Sequence, residues 1–218
     1  MMEKRIAAQR IASYGAKPIE ENVAVEEPLE LHINGSPWAA IMRTPGQDCE
    51  LAIGLLYTEG IISSYSEIDE IRLEDNVIII EGDFSVDDHV RGFVRSSSCG
   101  VCGSASLDSI FSRNPPKIPN KGFTLNFEDV EELVGKLSEG QSFFQTTGGM
   151  HAVGLFDQDL EIVSITEDVG RHNAMDKIIG QSISSLPHNS LGFLLSGRVS
   201  FEMVQKAVMA GSPCIIAI

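Results

Sequence analysis

From Val23 onward the chain is built of blocks whose apolar spacing switches between two and about 3.6 residues. Leu31 and Ile33 alternate with Glu30 and His32 up to Asn34-Gly35, and Trp38 and residues 39–43 return, which predicts a β-hairpin. Thr44-Pro45-Gly46 is a turn, and Leu51, Ile53, Leu55 and Leu56 then predict a dense apolar helix ending near Gly60. Asp48 and Glu50 suit its N-terminus. Residues 68–73 and 77–81 predict a second hairpin around Asp75-Asn76. A short strand over 90–94 and a short helix over 104–111 are expected next. Residues 113–122 hold three prolines and form an exposed connection or a subdomain boundary. Asn126 is placed to cap a helix with Phe127, Val130, Leu133, Val134 and Leu137 on one face and Gly140 behind it.

The second half alternates strand and helix. A hairpin is expected over 151–156 and 160–165, and a helix over 171–179. A buried strand follows over 191–195. A helix over 199–209 has Val199, Met203, Val204, Ala207 and Val208 inward, and a last buried strand covers 213–218. Continuous apolar strands between helices imply an α/β sheet covered on both faces. Residues 1–22 are polar and mixed, a loose lead-in. Residues 23–115 and 116–218 then form two α/β parts, as one intimate domain or two subdomains. A domain rarely ends on a buried central strand, so further sequence is expected beyond Ile218.

Hydrophobic content of 43% and charged content of 22% allow an ordinary core without staples. The net charge of -15 excludes binding of nucleic acid through a general field. No apolar run approaches the ~18 residues of a membrane span, and the first ten residues lack a signal peptide's apolar region. Four cysteines without an export signal fit a reducing cytoplasm. Cys49 and Cys214 stand in apolar surroundings as small buried residues. Cys99 and Cys102 are different: they lie in Ser96-Ser97-Ser98-Cys99-Gly100-Val101-Cys102-Gly103, framed by serines and glycines. This spacing can lower one thiol's pKa and leaves the sulfurs approachable. Half a zinc site and two small turn residues are the competing readings. A four-ligand zinc site needs a second pair at short spacing, which the sequence does not hold, so no metal is expected.

Three further segments carry chemistry. Thr147-Gly148-Gly149-Met150-His151 is a glycine turn that can bring N–H groups close to an anion, or a plain turn. Glu167-Asp168-Val169-Gly170-Arg171-His172-Asn173 places Arg171 at a helix start, an anion site or a polar cap, with Asp168 orienting His172 or holding Arg171. Ser196-Gly197-Arg198 repeats the strand–turn–helix theme. Ligands of open α/β sheets bind beyond the carboxyl ends of the strands, so the two arginine sites are expected to share one crevice. His32, His89 and His188 have no partners at useful spacing and are taken as surface or hairpin residues.

In order along residues 23–218, the chain resembles the formate dehydrogenase accessory sulfurtransferase family, FdhD. The resemblance rests on Glu26-Glu27-Pro28-Leu29 with Asn34-Gly35, Thr44-Pro45-Gly46-Gln47-Asp48, Gly54-Leu55-Leu56, and Glu59-Gly60-Ile61-Ile62. It continues through the cysteine segment, Thr147-Gly148-Gly149-Met150-His151-Ala152, residues 167–177 and Ser196-Gly197-Arg198-Val199-Ser200.

The resemblance implies a cytoplasmic sulfur carrier and transferase. It would take persulfide sulfur from a cysteine desulfurase and pass it to the bis(molybdopterin guanine dinucleotide) molybdenum cofactor, for formate dehydrogenase. It implies a three-layer α/β/α fold similar to cytidine deaminases, with a smaller β-rich accessory part. The deaminase zinc motifs are absent: Ala152 and Val153 follow His151, and Ala217 stands where a second cysteine after Cys214 would be. Cys99 is expected to hold the persulfide on a mobile loop, with Cys102 either assisting or releasing the sulfur as a disulfide. Thr147, Gly148, Gly149, His151, Asp168, Arg171, His172, Ser196 and Arg198 are the expected cofactor-binding set, taking the guanine nucleotide part. A homodimer is compatible with this reading. Family members usually carry a basic, glycine-containing stretch further on that contributes to cofactor binding. A thiol–disulfide oxidoreductase and a non-catalytic cofactor chaperone remain the alternatives; a redox titration and a Cys99→Ala variant separate them.

Overall fold

The computed structural model describes residues 1–86, 115–118 and 124–218. The elements expected over 90–94 and 104–111, and with them His89, Cys99 and Cys102, lie outside the described residues. The chain opens with an antiparallel ribbon, β1 (Glu3–Ala12) and β2 (Gly15–Ala24), paired along its whole length. This corrects the loose lead-in expected over 1–22. Water reaches most of both faces of the ribbon, so no apolar alternation marks it in the sequence.

β3 (Glu27–Ile33) and β4 (Ser36–Arg43) form the hairpin around Asn34 and Gly35, whose φ values of 47° and 76° suit Asn-Gly. Helix α1 (Asp48–Thr58) follows, then the hairpin β5 (Ile68–Glu74) and β6 (Val77–Gly82). β6 pairs with β3 in parallel, giving the sheet order β4-β3-β6-β5. The Asn34 side chain clasps the end of β6: its amide donates to the Gly82 and Phe84 carbonyls, and its oxygen accepts from Gly82 N.

Helix α2 (Phe127–Gly140) begins at Asn126, whose Oδ1 accepts from Asp129 N at 2.8 Å while Asp129 Oδ2 accepts from Asn126 N at 2.9 Å. Leu133 and Leu137 are its buried anchors. Phe127, expected on that face, is 72% exposed. A short helix, α3 (Ser142–Thr147), precedes β7 (His151–Phe156) and β8 (Ile162–Asp168). Helix α4 (Arg171–Gln181), β9 (Gly192–Leu195), helix α5 (Phe201–Met209) and β10 (Cys214–Ala217) complete the chain.

The second sheet runs β10-β9-β7-β8, with β7 antiparallel to both of its neighbours and β10 parallel to β9. β8, β9 and β10 therefore point the same way. Expected as a buried central strand, β10 is an edge strand among the described residues, with side chains half-buried. Val153, Leu155, Phe193 and Leu195 face one core cluster with α1, α4 and α5; Ala152, Phe156 and Leu194 face the other with Leu133 and Leu137 of α2. The fold is thus mixed α/β, with α2 on one face of this sheet and α4 and α5 on the other. The first core cluster also takes in Leu29, Leu31, Ile33, Ile78 and Ile80, so one core draws on both halves of the chain.

Helix α5 starts at 201, not 199, with Ser200 as its N-cap. Val199 and Val204, expected inward, are exposed. The inward position is taken by Lys206, whose Nζ donates to both Asp176 oxygens at 2.6 and 2.8 Å and to Thr58 Oγ1 at 2.9 Å. A buried cation on the core face is legible only once its partner carboxylate is known. His188, expected at the surface, is buried: its Nε2 lies 2.9 Å from Ser182 Oγ and burial pushes its pKa down to about 4. Among the described residues no helix is long and apolar enough to cross a membrane.

Candidate functional site

The carboxyl ends of β8 and β9 and the amino end of β7 meet at one edge of the second sheet. Thr147, Gly148, Gly149 and His151 arrive there from α3 into β7. Asp168 closes β8, Arg171 opens α4, and Ser196 and Arg198 follow β9. The sheet order brings together residues up to 51 positions apart, as the crossover rule for α/β sheets anticipates.

The turn before β7 has a built shape. Gly148 sits at φ 65° as the C-cap of α3, its N–H donating to Phe144 O at 2.7 Å. Thr147 Oγ1 donates to Phe143 O at 2.7 Å and accepts from Gly149 N at 3.3 Å. Glu167, which sequence reasoning left without a role, holds the start of α3: its carboxylate accepts from Phe143 N at 3.0 Å and Phe144 N at 2.8 Å. Ser196 extends the β9–β7 pairing, accepting from Ala152 N through Oγ at 2.8 Å and donating its own N–H to Ala152 O at 3.0 Å. A Cβ on Gly197 would stand 3.0 Å from His151 Nδ1, so the glycine gives the imidazole its place.

Asp168 does not act as expected. It neither orients His172 nor holds Arg171. Fully buried, it pairs with Lys177 Nζ at 2.8 Å and accepts from Thr44 N at 3.0 Å, Gly170 N at 2.8 Å and Asn173 Nδ2 at 2.9 Å. It is the knot behind the site, tying the Gly170 turn to the loop after β4. Lys177 also donates to Thr44 O at 2.9 Å. Thr44 carried no catalytic signal in the sequence, because its partners Asp168 and Lys177 lie more than 120 residues away.

His172 is directed elsewhere. Its Nε2 lies 3.1 Å from a Glu202 carboxylate oxygen and 3.4 Å from Ser200 Oγ, at the start of α5. Arg171 has a buried Nε with no hydrogen-bond partner, while Arg198 is exposed. Burial lowers the His151 pKa, the Arg171 and Arg198 cations beside it lower it further, and Asp168 opposes them. Burial and the two nearby cations thus favour the neutral form of the His151 ring. An orphaned guanidinium Nε at the first turn of an 11-residue helix, with a second arginine nearby, is chemistry for a phosphate. Among the described residues no group of three or more His, Cys, Asp or Glu side chains could hold a metal ion. Cys49 and Cys214 are both half-buried free thiols. Burial raises both pKa values, and Glu50 and Asp48 add to the effect at Cys49.

A profile of the FdhD/NarQ family matches residues 24–218. The chain belongs to the FdhD/NarQ family. A sulfur carrier protein FdhD from Sulfolobus acidocaldarius is 44% identical over 206 residues, covering 91% of this chain and 78% of that protein. Another, from Nocardia farcinica, is 37% identical over 233 residues and covers 100% of this chain and 84% of its own length. A solved structure from Desulfotalea psychrophila, assigned there as a formate dehydrogenase accessory protein, superposes with a TM-score of 0.80 at 22% identity. It covers 100% of this chain and 84% of that one, which shows that the FdhD/NarQ fold is shared.

Proposed function

We propose that this chain is a cytoplasmic sulfurtransferase that accepts persulfide sulfur from a cysteine desulfurase. It delivers that sulfur to the bis(molybdopterin guanine dinucleotide) molybdenum cofactor as substrate, for use by formate dehydrogenase. Its working unit is a homodimer. The observation that carries the cofactor half is the unpartnered Arg171 Nε beside Arg198 in a chain of net charge -15. Such a chain repels polyanions except where local N–H groups and guanidinium groups are gathered. The phosphates of the guanine nucleotide would lie against Arg171, Arg198 and the Gly148-Gly149 turn. His151, whose neutral form is favoured there, would offer a hydrogen bond without adding charge. Asp168 acts from behind, by fixing the start of α4.

The sulfur half rests on the cysteines. Cys49 and Cys214 are pushed away from the thiolate form, which leaves Cys99 and Cys102 as the nucleophiles. The Cys99 thiolate attacks the terminal sulfur of the donor persulfide. The donor S–S bond breaks, its thiolate leaves, and Cys99 holds the new persulfide. In delivery an electron pair of the acceptor on the substrate forms the new bond to the outer sulfur, the Cys99 persulfide S–S bond breaks, and Cys99 leaves as thiolate. Attack of Cys102 on the inner sulfur instead forms the disulfide and releases hydrosulfide.

Incubation with a cysteine desulfurase and cysteine should add about 32 Da per sulfur, removable by thiol reductant. Cys99→Ser should abolish this and Cys102→Ser should cost less, both read by intact mass. Equal loading on Cys49 or Cys214 would overturn the assignment. At the other half of the site, Arg171→Ala should weaken GDP binding by about 1.5–3 kcal/mol, the loss of a charge-assisted contact. ADP should bind less well than GDP to the unaltered protein. Calorimetry measures both, and unchanged GDP affinity in a normally melting variant removes Arg171 from the site.

A further inference from the structure

A cavity of about 740 Å³ lies at the far ends of the helices that serve the anion site. Helices α4 and α5 begin beside that site, at Arg171 and after Ser200, whose Oγ lies 3.4 Å from His172 Nε2. Their other ends reach the cavity: Ile183 and Ser184, just past α4, and Met209, the last residue of α5, line it. Helix α1 ends there too, through Tyr57, Glu59 and Gly60. Tyr57, Ile62 and Met209 are buried and make its floor. Pro116 and Pro187 close one wall, and a glycine lets them do so. At Gly211, with φ 72°, a Cβ would stand 2.5 Å from Pro187 Cβ and 3.2 Å from Pro116 Cγ. The mouth carries the exposed hydroxyls of Ser63, Ser64, Ser66 and Ser184.

We propose that this cavity binds a small organic cation, an amine carried on a hydrocarbon or aryl body. Electrostatics sets the sign of the ligand. Among the described residues lining the cavity there is no lysine, arginine or histidine, and the buried Glu59 carries the formal charge. Three helices end at the cavity, and the C-terminal end of a helix is the negative end of its dipole. Helices α4 and α5 therefore turn positive ends to the anion site and negative ends to this one. The N–H groups of Ser63 and Ser64, which would otherwise suit an anion, are both taken by Glu67 Oε1 at 2.7 and 2.9 Å. The lining also sets the ligand's body. Tyr57 and Tyr65 supply aromatic rings for a cation. Ile62, Leu186 and Met209 supply apolar surface for a hydrocarbon, and the serine oxygens can accept from an ammonium group. The volume falls within the ~300–1,000 Å³ of small-molecule sites.

Calorimetry of the full chain with phenylbutylamine, phenylbutanol and phenylbutyrate is the test, since these ligands share a body and differ in charge. One amine should bind per chain, at least ~10-fold more tightly than the alcohol, and the carboxylate should not bind. Glu59→Gln should erase most of the amine's advantage, but it alters a buried residue. Ser184→Lys asks the same question from the exposed mouth, where the fold and its melting temperature should be untouched. It should lower the affinity for the amine at least ~10-fold by like-charge repulsion and leave the alcohol's affinity near wild type. Ser138→Lys makes the same change of charge at an exposed position of α2 that does not line the cavity, and should leave the amine's affinity as it was. Hydrogen exchange with the amine bound should show protection over residues 63–66 and 183–187. An alcohol that binds as tightly as the amine overturns the proposal. Amine binding that Ser184→Lys and Ser138→Lys weaken alike would be general attraction to a chain of net charge -15, and overturns it as well. So does an amine that fails to bind at millimolar concentration.

Discussion

Gly54→Ala should unfold this protein or lower its stability by about 3 kcal/mol or more, the upper range of overpacking. Helices α1 and α4 cross backbone to backbone at Gly54 and Gly180. A Cβ at Gly54 would fall 1.9 Å from Asp176 O and 2.9 Å from Gly180 N. A Cβ at Gly180 would fall 1.9 Å from Glu50 O and 2.9 Å from Gly54 N. The atoms met are helix backbone, which cannot turn aside as a flexible side chain can. One methyl group must therefore push the helices apart. Both helices stand between the two sheets, within the main core cluster, so separating them opens cavities against Leu55, Ile178 and Ile179. Gly180→Ala should be comparably damaging. The double variant should cost less than the sum, because the first methyl already makes room for the second. Gly135→Ala is the control: it lies exposed in α2 with nothing within 4 Å of the added carbon. Its expected gain is about 0.5–1 kcal/mol from helix propensity. Urea unfolding of the four variants decides the matter. Near-native stability of Gly54→Ala would mean that the helices are not in backbone contact.

The sequence carries this crossing only faintly. A glycine within an apolar helix signals close packing, but not against what. The local elements were more legible, because local chemistry makes them: Asn34-Gly35 sets the hairpin turn and Asn126 caps α2. The convergence of the Arg171 and Arg198 turns was legible too, since both follow the carboxyl ends of strands in one sheet. Long-range polar pairing was not. Lys206 looks like a surface residue until Asp176, 30 positions earlier, is seen to accept its charge. Thr44 looks like part of a turn until Asp168 takes its N–H across 124 positions. The ribbon was hidden for the opposite reason: with both faces wet, β1 and β2 have no apolar period to detect. The parallel pairing of β3 with β6 has no sequence mark either, because register across a crossover is set by what the sheet packs on.

The role of Asp168 separates a residue that touches ligand from one that holds the site in place. Every oxygen lone pair it offers the core has a donor: Lys177 Nζ, Thr44 N, Gly170 N and Asn173 Nδ2. Neither its carboxylate nor the Lys177 ammonium is exposed to water. Asp168→Ala would strand that cation with only Thr44 O as acceptor and leave two backbone N–H groups unpaired. Removing one partner of a buried ion pair costs about 3–5 kcal/mol, so the variant should fail to fold or melt far below the wild type. Asp168→Asn keeps the shape and one acceptor oxygen but loses the charge and faces the ammonium with its amide. It should fold with a smaller loss. Lys177→Met combined with Asp168→Asn should recover part of that loss, because the orphaned charge is gone. The single and the double variant also read the site. Asp168→Asn should weaken GDP binding through a displaced α4 N-terminus, and Lys177→Met added to it should restore part of the affinity together with the stability. A residue that contacts the nucleotide itself would behave differently: stability would stay near wild type while affinity fell, and the second substitution would recover nothing. That outcome, read by calorimetry beside urea unfolding, would return Asp168 to the wall of the pocket.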